Sequence, residues 1–247
     1  MEQRALNGKV ALVTGAGSGL GEATARAFAD AGCAVACLDL NQDAAQRVAC
    51  DLERQGEKTL AFGCDVSDAE SVSRSVAAVL TRLTRIDIAV NCAAVDYTYW
   101  VDELTVDQWD REIAVNLRGP FLVAKAVMPG MRDQGGGHIV NVASTAAVRA
   151  WTGASAYHAS KWGILGFSRG LGAEGRRDNI RVTTVIPGGM QTHFFDRFVE
   201  QGIPMPDPAN LQSPANVARS IVFAVSLPPD SVMQELIITP MNEPSWP

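Results

Sequence analysis

Three side chains whose types can move protons lie close together in the sequence. Tyr157 and Lys161 are four residues apart on a predicted helix, so they share one face. A phenol has an ordinary pKa near 10, and a nearby ammonium lowers that pKa by favouring the phenolate. Ser144 ends a predicted strand thirteen residues before Tyr157 and could hold a substrate oxygen. Tyr157 alone would be interpreted as an ordinary half-buried helix residue, but the three together predict general acid–base catalysis at an alcohol or carbonyl oxygen.

A glycine-rich turn near the start of the chain is suited to binding a pyrophosphate. Residues 14–21 read TGAGSGLG, in which Gly15, Gly19 and Gly21 give the spacing T-G-x-x-x-G-x-G. Gly15 allows the chain to turn off a strand, Gly19 allows backbone N–H groups to approach a pyrophosphate, and Gly21 allows the following helix to pack closely. A glycine turn without a ligand is the alternative, but the strand–turn–helix setting favours a bound dinucleotide.

An acidic residue after the second predicted strand bears on which dinucleotide is bound. Asp39 lies 18 residues after Gly21. Its carboxylate can accept hydrogen bonds from both hydroxyls of an adenosine ribose, and it would repel a 2′-phosphate. No Arg or Lys stands in the glycine turn or directly after Asp39, where Leu40 follows. These features predict NAD rather than NADP, and an ordinary surface Asp at a strand end is the alternative.

The elements that must position these residues alternate along the chain. Strands are predicted at 9–14, 33–39, 59–64, 86–91, 138–144, 180–186 and 235–239, and helices at 19–31, 44–55, 67–83, 106–131, 155–174 and 214–227. The helix at 106–131 is interrupted by Pro120. Residues 189–212 are predicted to be an irregular, mobile substrate-binding segment. The alternation predicts an α/β doubly wound Rossmann fold with a seven-stranded parallel sheet, in a single domain over 1–247.

Composition and charge exclude several classes of function. The 247 residues carry 21 Lys+Arg against 27 Asp+Glu, and the net charge of −6 argues against a general nucleic-acid binder. No stretch approaches about 18 uncharged apolar residues, so no membrane span is expected. No apolar core of signal-peptide type precedes Gly8, so a cytoplasmic protein is expected. The five cysteines contain no C-x-x-C pair and predict thiols in a reducing compartment, with no metal site.

The sequence closely resembles the classical short-chain dehydrogenase/reductase family over nearly its whole length. The resemblance is carried by TGAGSGLG at 14–21, CDV at 64–66, NCAA at 91–94, Asn116, Ser144, YHASK at 157–161 and PGGMQT at 187–192. It implies that Tyr157 is the catalytic acid/base and that Ser144 positions the substrate oxygen. It also implies that Lys161 lowers the Tyr157 pKa and binds the nicotinamide ribose. Asn116 would hold a water that links Lys161 to solvent.

The same resemblance implies a set of cofactor-binding residues. Asp65 and Val66 would hold the adenine, Asn91 would lie beneath the cofactor, and 186–188 with Thr192 would flank the nicotinamide. The full set is Gly15, Ser18, Gly19, Leu20, Gly21, Asp39, Leu40, Asp65, Val66, Asn91, Ala93, Tyr157, Lys161, Pro187, Gly188, Met190 and Thr192.

Two departures from the family pattern concern the loop after strand 4 and the C-terminus. Ala94 replaces the Gly that many members have, which narrows the space by one methyl group but leaves the backbone contact possible. The last strand runs into Thr239, Pro240 and Met241 instead of the Asp-Gly-Gly tail common among acyl-carrier-protein ketoreductases. The second departure weakens an assignment to fatty-acid synthesis.

The resemblance places the substrate between three loops that are rich in aromatic residues. The candidate substrate-binding residues are Ser144, Ala146, Trp151, Tyr97, Met190 and Phe194. Their character predicts an apolar or ring-bearing alcohol or ketone rather than a polyol without an apolar part. The alternative for Trp151 is packing against a neighbouring subunit.

Together these features predict an NAD(H)-dependent oxidoreductase that moves a hydride between nicotinamide and a secondary alcohol or its ketone. An NADPH-dependent ketoreductase of 3-oxoacyl type and a catalytically silent dinucleotide-binding regulator are the alternatives. Family members are usually homotetramers, sometimes homodimers, with the helices at 106–131 and 155–174 at one interface.

Overall fold

Seven parallel strands form one sheet in the computed structural model, which describes residues 6–54, 56 and 58–243. The strands are β1 (Val10–Thr14), β2 (Ala34–Asp39), β3 (Thr59–Gly63), β4 (Ile88–Asn91), β5 (Gly137–Val142), β6 (Ile180–Pro187) and β7 (Glu235–Ile238). Their order is β3-β2-β1-β4-β5-β6-β7, and every neighbouring pair is parallel. The predicted seven-stranded Rossmann sheet is therefore confirmed. Predictions at residues 1–4 and at Gln55 lie outside the described residues.

Helices cover both faces of this sheet. They are α1 (Gly19–Asp30), α2 (Gln42–Arg54), α3 (Ala69–Leu83), α4 (Val106–Ile113), α5 (Gly119–Asp133), α6 (Ser155–Gly175), α7 (Asp196–Glu200) and α8 (Pro214–Val225). Successive residues of β1 point to opposite faces: Ala11 and Val13 join the core that includes α1 and α8, and Val10 and Leu12 join the core that includes α3 and α5. Because both faces are covered, every residue of β1 is buried and the strand has no polar side.

The strand order reverses direction between β1 and β4, and this reversal positions the functional site. The chain leaves β1 towards β2 on one side, whereas β4 and the later strands lie on the other side. In open α/β sheets a crevice forms at such a switch point, outside the carboxyl ends of the strands. The glycine turn follows β1, residues 92–94 follow β4 and Ser144 follows β5, so all three reach that crevice.

The predicted interruption of the helical pattern at 106–131 is present, and it lies just before Pro120. Residues 114–118 form a π-helical turn between α4 and α5. Pro120 has no N–H, so it cannot donate to the carbonyl of Asn116, its partner in α-helical register. A π turn is a local widening that often marks a functional site, and this one carries Asn116.

The predicted irregular segment at 189–212 contains more structure than expected. The short helix α7 lies within it, flanked by 3-10 turns at His193–Phe195 and Pro208–Asn210. Thr192 begins the first turn by accepting a hydrogen bond from the N–H of Phe194. The sequence pattern did not predict these short elements, because Pro and Gly are abundant there.

Among the described residues, no helix combines the length and apolar character needed to cross a membrane.

Candidate active site

The glycine turn after β1 is shaped by a close approach of the loop after β4. Thr14 accepts hydrogen bonds from the N–H groups of Cys92 and Ala93, at 3.2 and 3.3 Å, and so holds that loop against the turn. A Cβ on Gly15 would come within 2.9 Å of the Ala93 backbone, and the φ of Gly15 is +65°. A Cβ on Gly21 would overlap the carbonyl oxygen of Gly15. Only glycine fits at these two positions, and the backbone beside them stays open to a pyrophosphate.

Asp39 is fixed at the end of β2 by one backbone hydrogen bond to each of its carboxylate oxygens. Oδ2 accepts a hydrogen bond from the N–H of Gly17 at 2.8 Å, and Oδ1 accepts one from the N–H of Asn41 at 2.9 Å. Each carboxylate oxygen can accept a further hydrogen bond, which is what a ribose with two hydroxyls requires. Arg47 is the basic side chain beside the turn, but it pairs with Glu22 at 2.8 Å and does not line the cleft. The arrangement leaves acceptor positions for the hydroxyls of an adenosine ribose.

Tyr157, Lys161 and Ser144 meet at the other end of the same cleft. The Lys161 Nζ lies 5.5 Å from the centroid of the Tyr157 ring and donates a hydrogen bond to the Val142 carbonyl at 3.0 Å. The Ser144 hydroxyl lies near the Tyr157 phenol, close enough to lower its pKa. Ser144 lies two residues beyond β5, where it caps the 3-10 turn Thr145–Ala147 by accepting a hydrogen bond from Ala146 N–H. The prediction that Ser144 lies within the strand is wrong, because the strand ends at Val142.

The electrostatics of this group differ from the expectation for the isolated pair. Burial raises the pKa of the Tyr157 phenol, the Asp96 and Glu112 charges raise it further, and the neighbouring Ser144 hydroxyl and the Arg197 charge oppose them. Burial also lowers the pKa of Lys161 to about 8. Burial therefore dominates the Tyr157 pKa in the protein without a cofactor, and the lowering of that pKa by Lys161 stays a prediction.

Asn116 is buried behind the cleft. Its side chain accepts a hydrogen bond from Val95 N–H at 2.9 Å and donates to the Val95 carbonyl at 2.8 Å. It also donates to the Ser160 hydroxyl at 3.1 Å. The side chain thus ties the loop after β4 to α6, which carries Tyr157 and Lys161.

Nearly all the predicted cofactor residues lie along one cleft of about 590 Å³. Its lining includes Gly15, Ser18, Gly19, Leu20, Gly21, Asp39, Leu40, Asp65, Val66, Ala93, Tyr157, Lys161, Pro187, Gly188, Met190 and Thr192. Asn91 is not in the lining, because its amide is buried and donates to the Asn141 side chain at 2.8 Å. The residues present fit a nicotinamide dinucleotide, with Asp39 at one end and Tyr157 at the other.

The predicted substrate residues divide into three groups. Trp151, Met190, Phe194 and Ser144 line the cleft. Ala146 is fully buried behind Ser144, and Tyr97 lines a separate cavity. The Phe194 ring lies 5.7 Å from the Tyr157 ring, centroid to centroid, and forms an apolar wall beside the reacting oxygen.

Sequence reasoning missed an ion pair between the two sides of the substrate region. Arg197 on α7 pairs with Asp96 in the loop after β4, and its guanidinium lies 4.4 Å from the centroid of the Phe194 ring. No local pattern connects two residues that are 101 positions apart. The contact is long-range, so only the fold reveals it.

A second missed residue is Glu112, which is completely buried on α4. Neither of its carboxyl oxygens has a hydrogen-bond partner among the described residues. Burial, and then the Asp96 charge, raise the pKa of Glu112 to about 8. A signal was available here, because Glu112 precedes Asn116 by one helical turn and so faces the same side.

The comparisons with known proteins agree with this geometry. A family model described as short chain dehydrogenase matches residues 9–202. The chain is 45% identical to a D-threitol dehydrogenase of Mycolicibacterium smegmatis, over 74% of this chain and 70% of that protein. It is 32% identical to a 2,3-dihydro-2,3-dihydroxybenzoate dehydrogenase of Bacillus subtilis, over 92% of each.

A solved structure is also similar over nearly the whole length. It is an alcohol dehydrogenase from the archaeon Thermococcus sibiricus complexed with 5-hydroxy-NADP, with a TM-score of 0.87 and 29% identity. The alignment covers 96% of this chain and 99% of that one. The match supports a nicotinamide dinucleotide in the cleft, while the choice between NAD and NADP depends on the residues of this chain.

Proposed function

The chain belongs to the short-chain dehydrogenase family, whose members act as oxidoreductases on alcohols and ketones, and we propose that it is an NAD(H)-dependent enzyme for a secondary alcohol. The proposed substrate carries an apolar or ring-bearing portion next to the reacting carbon. One observation carries the proposal: Tyr157, Ser144 and Lys161 converge at the end of the cleft opposite Asp39. The bound dinucleotide would supply the hydride acceptor in oxidation and the hydride donor in reduction.

The residues of this chain would handle the proton and the developing charge. In oxidation, Tyr157 as phenolate takes the proton of the substrate hydroxyl while the C–H bond breaks. In reduction, the Tyr157 phenol returns that proton to the oxygen. Ser144 donates a hydrogen bond to the same oxygen, so both hydroxyls stabilise the negative charge that develops there. Lys161, held by Val142, binds the nicotinamide ribose and adds a positive charge that favours the phenolate.

The choice of NAD depends on Asp39. Its carboxylate faces the cleft and would meet a 2′-phosphate with like charge, whereas Arg47 is already paired with Glu22. The relatives named above are both dehydrogenases, which favours oxidation of the alcohol. The Thermococcus sibiricus structure, with its NADP analogue, favours use of NADP(H), which keeps an NADPH-dependent ketoreductase as the second candidate.

The assembly that we propose is a homotetramer. Trp109 on α4, Phe121 on α5 and Trp162 on α6 are large, exposed apolar side chains on the helices expected at an interface. Residues 189–212 would move as the substrate enters, within a single domain over 1–247. Light scattering on the purified chain measures the assembly, and a monomeric mass at micromolar concentration would refute the tetramer.

The decisive experiment is a panel of secondary alcohols and ketones assayed with NAD(H) and NADP(H) in parallel. Formation or loss of the reduced cofactor is followed by its absorbance. Turnover with NAD and at least one secondary alcohol supports the proposal. A kcat/KM that is higher with NADPH than with NADH would instead establish the ketoreductase, and no turnover with either cofactor would refute both.

A further inference from the structure

A second cavity shares a wall with the catalytic cleft. Its volume is about 490 Å³, and Ala94, Val95, His193 and Phe194 line both spaces. Beyond that wall the lining is polar and consists of Asp96, Tyr97, Tyr99, Gln108, Arg197 and Gln201. Because the Phe194 ring also contacts Tyr157, the cavity lies next to the reacting position.

Two residues that line this cavity carry a buried side-chain oxygen without a hydrogen-bond donor among the described residues. Asp96 is only 6% exposed in its side chain, and Oδ2 interacts with Arg197 and with Thr98. The other oxygen, Oδ1, has no partner among the described residues. The Gln201 amide nitrogen donates to the Thr98 carbonyl, whereas its Oε1 is buried and unpartnered among those residues. Since buried acceptors are normally satisfied and both atoms only accept, the missing group is a hydrogen-bond donor.

The charge balance favours a neutral donor over a cation. Arg197 neutralises Asp96 directly. Behind Asp96, burial and the Asp96 charge raise the pKa of Glu112 to about 8, so Glu112 is mostly protonated at neutral pH. The backbone N–H of Tyr97 lies near both carboxyls without forming a hydrogen bond of ordinary geometry to Glu112. The cavity therefore carries no surplus negative charge to attract an ammonium, and hydroxyl groups match its requirements.

We propose that this cavity is a subsite for the hydroxylated end of a polyhydroxylated substrate. The reacting hydroxyl lies at Tyr157 and Ser144, the carbon skeleton passes Phe194, and further hydroxyls donate to Asp96 Oδ1 and Gln201 Oε1. The inference rests on the proposed function and adds hydroxyl groups to the apolar or ring-bearing skeleton proposed above.

The subsite predicts strong discrimination against substrates that lack the distal hydroxyls. A site with buried acceptors disfavours an analogue without donors, because those acceptors then stay unpaired in the complex. We expect a kcat/KM at least about 100-fold higher for a polyol than for the matching mono-alcohol. Two matched pairs test both skeletons: 2,3-butanediol against 2-butanol, and cis-1,2-cyclohexanediol against cyclohexanol.

The variant that tests the subsite is Gln201→Leu, which removes the acceptor at similar volume and leaves the catalytic group unchanged. We expect kcat/KM for the preferred polyol to fall by about tenfold or more while the mono-alcohol value stays within about twofold. Gln46→Leu, on the exposed face of α2, is the matched control and should change neither value.

The outcomes separate the subsite from the function it rests on. Turnover of mono-alcohols as efficient as that of polyols, or an equal loss for both in Gln201→Leu, overturns the subsite and leaves the proposed function standing. If no alcohol is turned over, the proposed function fails. Isothermal titration calorimetry of the polyols with the protein and NADH then tests whether the subsite binds them. Binding that Gln201→Leu weakens supports it, and absence of binding overturns it.

Discussion

Arg197 forms an ion pair with Asp96 and so fastens α7 to the loop after β4. The same guanidinium donates to the Phe194 carbonyl and lies over the Phe194 and Phe198 rings, 4.4 and 5.1 Å from their centroids. Since both partners are largely buried, the pair is screened less than a surface ion pair. The contact holds the segment that carries Phe194 against Tyr157.

Replacing Arg197 by Gln should loosen this segment without disturbing the dinucleotide end of the cleft. We expect amide hydrogen exchange to rise in residues 193–201, and kcat/KM for the substrate to fall by about tenfold or more, because a buried Asp96 is left without its counter-charge. The Kd for NADH should stay within about twofold. Arg169→Gln, which removes an exposed ion pair with Glu235, is the matched control. Unchanged exchange in 193–201 would contradict the fastening role.

Replacing Tyr157 by Phe removes the hydroxyl that exchanges the substrate proton in the proposed mechanism. We expect kcat to fall by about 10²–10⁴-fold, the usual contribution of general acid–base catalysis. Binding of NADH, measured by fluorescence titration, should be nearly intact, because the ring remains. Tyr99→Phe, assayed with a mono-alcohol, removes a hydroxyl outside the cleft and should leave kcat close to normal. A near-normal kcat in Tyr157→Phe would show that the acid/base assignment is wrong.

Asp39 should control the preference for NAD. Asp39→Ala removes both the acceptors for the ribose hydroxyls and the charge that repels a 2′-phosphate, so NADH binding weakens and NADPH binding improves. The ratio of the two kcat/KM values should shift towards NADP by about tenfold or more, which corresponds to about 1.4 kcal/mol. Asp43→Ala, exposed in the first turn of α2, keeps the cleft intact and should leave the ratio unchanged. A wild-type enzyme that already prefers NADPH would overturn the argument.

The strands could be predicted from the sequence because each is an apolar run between turn residues. Val10–Thr14 is buried on both faces, so its residue types alone mark it as a central parallel strand. The catalytic group was predictable for a similar reason: Tyr157 and Lys161 are one helical turn apart, and Ser144 follows the strand that pairs with β4 and β6.

The substrate side could not be predicted to the same extent. Asp96 and Arg197 meet because the parallel strands β4 and β6 end at the same edge of the sheet, and no local periodicity encodes that contact. The π turn around Asn116 also escaped prediction, because its sequence continues the helical pattern and only the missing N–H of Pro120 marks the break. The buried acidic side chain of Glu112 breaks the usual rule that charged residues are exposed.

Glu112 should shape the pH dependence of alcohol oxidation. Its pKa is raised to about 8, so the carboxyl gains negative charge as the pH rises through that value. The charged groups around it are Asp96, Lys161 and Arg197, and its own charge raises the pKa of Tyr157. Glu112→Gln keeps the neutral form at every pH. Below pH ~7 the kcat of the variant should match that of the wild type. Above pH ~8 the rise in kcat should occur at a lower pH in the variant than in the wild type, because Tyr157 ionises more easily.

The measurement is a pair of kcat profiles from about pH 6 to pH 10 with saturating NAD. Glu103→Gln, in the loop before α4, is a matched substitution at a position outside both cavities. It should leave the profile unchanged. A uniform loss of kcat in Glu112→Gln at all pH values would indicate a packing role alone.

His138 should make the fold sensitive to acid. The side chain is buried in β5, where Nε2 lies 2.7 Å from the Thr183 hydroxyl, and burial lowers its pKa to about 3. Between about pH 3 and pH 6.5 the unfolded chain therefore binds a proton at this position that the folded chain does not. The free energy of unfolding should fall as the pH falls through this window, by about 3 kcal/mol between pH 6.5 and pH 4 from this group. Denaturant unfolding at several pH values measures the slope of the unfolding free energy against pH.

His138→Gln, which keeps a polar partner for Thr183 but cannot titrate, should lose most of that slope even if it is less stable at pH 7. His193→Gln removes a histidine whose side chain is 83% exposed, so its slope should equal that of the wild type. Equal slopes in all three proteins would show that the proton uptake on unfolding comes from other groups.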